Sequence, residues 1–110
     1  MSKSKITALV LLCMFLGCAS AAMVEESPST EAYKAAMGNM HESMMIDYSG
    51  DPYVDFVRGM IPHHQGAVQM AKVELKYGKD PELRKLAEGI ISAQESEIEM
   101  RFSWLKAHGK

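Results

Sequence analysis

The chain carries 10 methionines and four histidines in 110 residues. They concentrate in two stretches. The first holds Met37, Met40, His41, Met44 and Met45. The second reads Met60-Ile61-Pro62-His63-His64-Gln65-Gly66-Ala67-Val68-Gln69-Met70. Thioethers are soft and favour Cu(I), and imidazole also suits copper. A thioether loses no proton on binding, so capture by methionine needs no basic pH. Thiolates are stronger ligands but oxidise or pair outside the cytoplasm. A Met/His set is therefore a sensible holder of Cu(I), or of the chemically similar Ag(I), in an oxidising compartment.

Spacing sharpens this. Met37 and His41, Met40 and Met44, and Met60 and His64 are i, i+4 pairs, neighbours on one helical face. His63 and His64 point roughly 100° apart on a regular helix, so one ion takes both only if Pro62 reorients them. Met70 lies about 10 Å along the axis from His63, too far to share an ion. It is a second-site candidate or a core residue. The competing reading is packing, since methionine is a flexible core filler. Taken alone, Met70 and Met100 read as core, and Met40 and Met44 fit either role. Met37, His41 and Met45, crowded on one short helix, read as metal-binding, as do His63 and His64 beside Met60. Glu97 reads as a salt-bridge residue that could reach the site. Tyr33, Phe56, Phe102 and Trp104 read as core or helix-end packing, and charges such as Glu74 and Arg84 as a solvated face.

Three helices must position these groups. Helix 1 is expected over 31–47, capped by Ser29 or Thr30, with Tyr33, Met37, Met40 and Met44 as its apolar stripe. Asp51-Pro52 opens helix 2, and Asp80-Pro81 opens helix 3 by the same device. Gly78 closes helix 2, and helix 3 ends near His108. Pro62 lacks a backbone N–H and crowds the preceding turn, so a kink or break is expected there. Short connections force antiparallel neighbours. The fold class is all-α: an antiparallel helical bundle of three long helices, or four if the second is split at Pro62. Folding about Ser49-Gly50 sets Met40 level with Met60 and Met37 level with His63. Folding about Lys79 sets His64 level with Gln94. Gly59, Gly66 and Gly89 inside helices read as points of close helix–helix approach.

The address is read from the start of the chain. Lys3 and Lys5 precede an apolar run over 6–16, and Ala19-Ser20-Ala21 follows as a cleavage site. Residues 1–21 are expected to be a cleaved export signal, 22–30 a flexible leader, and 31–108 the helical bundle. Leu16-Gly17-Cys18 offers an alternative, lipidation at Cys18 and anchoring to a membrane. Either way the protein is exported, to the periplasm in a bacterium. Both cysteines, Cys13 and Cys18, lie in this segment, so simple cleavage leaves no disulfide framework. Loss of Lys3 and Lys5 takes the basic count from 12 to 10 against 14 acidic residues. That balance argues against a nucleic-acid partner.

Other chemistries lack their motifs. A di-iron bundle needs Glu-x-x-His, but Gly38, Met60, Ile61 and Leu105 stand three before the four histidines. The His-Glu-x-x-His of zinc proteases, a nucleophile–base pair and a Gly-rich phosphate loop are all missing. No catalytic turnover is expected.

The run Met60 through Ala71, with Asp55-Phe56, Tyr77-Gly78-Lys79-Asp80-Pro81, Leu86-Ala87, Gln94, Glu97-Ile98 and Trp104-Leu105, resembles a bacterial family. It is the one first catalogued as domain of unknown function 305, which includes CopM-type periplasmic copper-binding proteins. The resemblance covers about residues 30–107. It implies a ferritin-like bundle, export, binding of Cu(I) or Ag(I), and a copper resistance or metallochaperone role. By position, Met60, His63, His64 and Met70 match the family signature. Met37, Met40, His41 and Met44 match the Met-rich first helix of the copper-binding members. The expectation is an exported protein that sequesters or delivers Cu(I), partnered by the ion itself and by a copper-accepting protein or a second copy. The alternative is an exported helical interaction or chaperone module in which the Met/His set is core packing. A copper-dependent redox enzyme is a third reading.

Overall fold

The computed structural model describes residues 25–110. Residues 1–21, expected to be an export signal, Cys18 among them, and the start of the expected leader lie outside the described residues. Within them the protein is all helical, and no strand forms among them. Helix α1 spans Pro28–Ser43, α2 Pro52–Tyr77 and α3 Pro81–Ala107. No helix among the described residues is long and apolar enough to cross a membrane.

All three helices start the same way: a residue with an accepting side chain, then proline. Ser27, Asp51 and Asp80 have extended backbone and accept from N–H groups of the first turn. Each thereby satisfies a donor that the helix itself cannot. Proline follows where its missing N–H costs nothing. Ser27-Pro28 is the pair that sequence reasoning passed over, so the expected start at Glu31 is three residues late. Helix α1 also ends early, at Ser43 rather than near Asp47. Residues 44–51 form an extended connection, closed by Asp55. The Ser49 N–H and hydroxyl each donate to Asp55 Oδ1 at 2.8 Å, and the Gly50 N–H donates to Oδ2 at 3.2 Å. Gly50 has φ +86°, a backbone that glycine adopts without steric cost.

Helix α2 runs unbroken through Pro62, so the split into four helices does not occur. Its burial pattern accounts for this. Val54, Val57 and Ile61 before the proline, and Val68 and Ala71 after it, are all buried. Burial of each larger side chain contributes about 1.5–3 kcal/mol. Holding both halves against α3 therefore offsets the roughly 3 kcal/mol that an interior proline costs. Val54, Val57, Ile61 and Leu105 form the main cluster, with Trp104 packed on it.

Helix α2 is the middle element. Both α1 and α3 pack on it, and they do not pack on one another. Arg84 locks the α2–α3 connection by donating to the carbonyls of Leu75 (2.7 Å) and Gly78 (2.9 Å). It is thus a half-buried cap for the end of α2 and not part of a solvated face.

Candidate metal centre

Two contacts set the register of the candidate ligands, and both revise the hairpin estimate. A Cβ placed on Gly66 would fall inside the Met40 side chain, 2.7 Å from its Cγ and 3.0 Å from its Cβ. Met40 therefore lies over Gly66, not beside Met60. The displacement is six positions, about 9 Å along the helix. It arises because α1 ends at Ser43 and a long connection replaces the expected tight turn. Carried along the antiparallel pair, this register sets Met44 level with Pro62, next to His63, and Met37 level with Gln69, next to Met70. Across the other interface, His64 meets Glu97, one turn beyond the expected Gln94. Gly66 is thus a true close approach, whereas Gly89 has nothing within 4 Å of an added Cβ.

The helical phase of α2, about 100° per residue, sorts its side chains into faces. Val54, Val57, Ile61, His64, Val68 and Ala71 turn to α3 and are buried. Gly59 and Gly66 turn to α1, meeting Ile46 and Met40. Between these faces runs a stripe of Phe56, Met60, His63, Ala67 and Met70. It forms the floor of an open groove with α1 and α3 as walls. The groove measures about 320 Å³ where Tyr33, Ala67, Met70, Leu83, Leu86 and Ile90 line it. Phe56 is 61% exposed and Phe102 51%, so of the two roles expected, core or helix-end packing, the core role does not hold for either.

By the register between the helices the candidate ligands fall at two heights along α2, and Met70 lines the groove itself. Met44, Met60, His63 and His64 form one. Met37, Met40 and Met70 form the next. Met40 and Met60 are half-buried, while Met37, Met44, His63 and Met70 are exposed. His41 is exposed and lies further round α1, outside the line of Met37 and Met44. The methionines are therefore half-buried or exposed side chains and form no sealed core. Among the described residues no group of three or more His, Cys, Asp or Glu is placed to hold a metal ion. A site here must draw on thioethers.

His64 is the most constrained member. It is 6% exposed, and its Nε2 lies 2.6 Å from Glu97 Oε2. Its ring and that of His63 are 5.9 Å apart and tilted by 57°, the divergence expected of adjacent helical residues. Arg101 donates to the same Glu97 oxygen at 3.3 Å. The hydrogen bond from His64, then that from Arg101, holds the Glu97 carboxyl below its usual range against the opposing effect of burial. With a neutral ring, Nε2–H donates to the carboxylate and Nδ1 keeps its lone pair. Nδ1 is buried and has no hydrogen-bond partner among the described residues, and the same holds for Gln94 Oε1. A histidine that gives one nitrogen to a carboxylate and leaves the other bare is the usual form of a metal-ligating histidine. Glu97 makes the salt bridge that the sequence suggested, to Arg101 on its own helix and to His64 across the interface. Its signal was position, one turn from the level of His64 on an antiparallel neighbour.

A sequence profile for a domain of unknown function (DUF305) matches residues 53–110. The chain belongs to the DUF305 family. The match takes in α2 and α3, including Met60, His63, His64 and Met70, and leaves out α1. The span is shorter than the 30–107 expected, and Met37, Met40, His41 and Met44 fall outside it. This DUF305 chain is also similar to an uncharacterised protein of Acanthamoeba polyphaga mimivirus, 44% identical over 43 residues. That stretch is 39% of this chain and 28% of the relative. The chain therefore spans well under two thirds of the relative it matches.

Proposed function

We propose that this protein is an exported Cu(I)-binding protein that sequesters the ion or hands it on, without catalytic turnover. Ag(I), equally soft, would enter the same groove. The role is copper homeostasis or resistance of the CopM type, with a copper-accepting protein as the downstream partner. The observation that carries the reading is His64. Its Nε2 is committed to Glu97, and its buried Nδ1 is left without a partner. Met44, Met60 and His63 share its level and supply soft and borderline donors. A groove open along one side suits a carrier, because a partner can reach the ion.

The test is competition for Cu(I) against a chromogenic chelator. The wild type is expected to draw Cu(I) from the chelator, and His63→Ala, an exposed substitution, to weaken that competition. Met44→Leu with Met60→Leu removes two thioethers at nearly constant volume and is expected to weaken it further with helicity unchanged. No competition by the wild type would end the reading. The second reading, an interaction module, is favoured by the apolar wall of Tyr33, Leu83, Leu86 and Ile90. It predicts that the methionine substitutions leave partner binding intact.

A further inference from the structure

The groove is open because α1 and α3 both pack on α2 and not on each other. Along it the chain leaves large apolar side chains in solvent. Phe56 is 61% exposed, Leu86 58%, Leu83 51% and Met37 51%. Only eight apolar residues are fully buried among those described, and three of them are alanines. A small bundle with so little core gains from covering such a face. We propose that a second copy of this chain closes the groove, α2 stripe against α2 stripe, in an isologous dimer.

Three observations favour a second copy over another occupant. The first is area. At these exposures each large side chain offers on the order of 100 Å². The stripe and its two walls then approach the roughly 800 Å² per partner of a standard interface. The second is charge. The floor of the stripe carries no acidic, lysine or arginine side chain from Phe56 to Met70, and Glu74 stands at its far end, while the opposite flank of α2 carries Arg58 and Lys72. A charged partner would find a single carboxylate at one end to pair with, whereas an identical stripe would meet the apolar length between. The third is shape. The stripe has one gap, at Ala67 between the large side chains of His63 and Met70. Two such stripes can interdigitate. Closure by a second copy would also place a second set of methionines across the groove from the first.

The experiment weighs the metal-free full chain, with Cys13 and Cys18 changed to Ser, by sedimentation equilibrium at micromolar concentration. It rests on the apolar face and not on copper binding, so its failure leaves the Cu(I) test untouched. The wild type is expected at twice the chain mass. Phe56→Glu and Leu86→Glu, both at exposed positions of the single chain, are each expected to raise the dimer dissociation constant by more than about 100-fold, because an unpaired charge would be buried. Helicity should be unchanged in both. Gln69→Glu, on the other flank of α2, should remain dimeric. A monomeric wild type overturns the proposal, and so does a dimer that survives both groove substitutions. A monomer that floats with phosphatidylcholine vesicles would assign the face to lipid and equally overturn it.

Discussion

Gly66 offers the sharpest test of how α1 lies on α2. Replacing an interior helical glycine by alanine gains about 1 kcal/mol of helix propensity. At Gly89 nothing stands within 4 Å of the new Cβ, so Gly89→Ala is expected to be stabilising by that amount. At Gly66 the new Cβ would lie 2.7 Å from Met40 Cγ and 3.0 Å from Met40 Cβ. The flexible end of Met40 can swing away, but its Cβ is tied to the α1 backbone. Overpacking of this kind costs about 1–3 kcal/mol. The clash therefore equals or exceeds the propensity gain, and Gly66→Ala is expected to be neutral to about 2 kcal/mol destabilising. In a domain of this size 1 kcal/mol moves Tm by about 4–8 °C. Thermal unfolding followed by circular dichroism should then separate the two alanine variants by at least about 4 °C. Met40→Ala removes the obstacle, so in that background Gly66→Ala should become stabilising. The double-mutant cycle should return a coupling of about 1–3 kcal/mol. If Gly66→Ala stabilises as much as Gly89→Ala in the wild type, Met40 does not sit over Gly66. The layers that put Met44 beside His63 would fall with it.

Asp55 should make the fold acid-sensitive. The Ser49 N–H, then the Ser49 hydroxyl and Gly50 N–H, lower its pKa, so its contribution is present above about pH 4 and is lost as pH falls through the folded value. Urea midpoints should drop more steeply in acid for the wild type than for Asp55→Asn, and parallel curves would remove Asp55 from this role. Glu97→Gln should weaken Cu(I) affinity by about 10–100-fold, the usual effect of removing the carboxylate behind a ligating histidine; an unchanged affinity in the chelator assay would show that His64 binds no ion through it. Cu(I) affinity should fall as the solution is acidified from about pH 8 to about pH 5 and then level off, because histidine must be neutral to ligate while methionine does not titrate. An affinity flat across this range would take histidine out of the site.

The sequence by itself determined the helices. Asp51-Pro52 and Asp80-Pro81 start α2 and α3 where they were expected, because a cap followed by proline is local chemistry that needs no tertiary partner. The all-α class followed from periodicity in the same way. The types of the candidate ligands were equally legible, since softness belongs to a side chain wherever it sits. What only the tertiary structure decided is which of them stand at one height and which way they face. Register between helices depends on where α1 ends and how far the chain travels before α2 begins. An end at Ser43 rather than Asp47 moves every pairing across that interface. Exposure depends on which helices touch. Nothing local says that α1 and α3 both pack on α2 without meeting. That choice left an open groove along α2 and kept the methionines out of a sealed core. Pro62 makes the same point, since its cost is local but the packing on either side that offsets it is not. Glu97 behind His64 is the last case. The sequence marked it as a salt-bridge residue within reach of the site, and two antiparallel helices set it 2.6 Å from a buried imidazole.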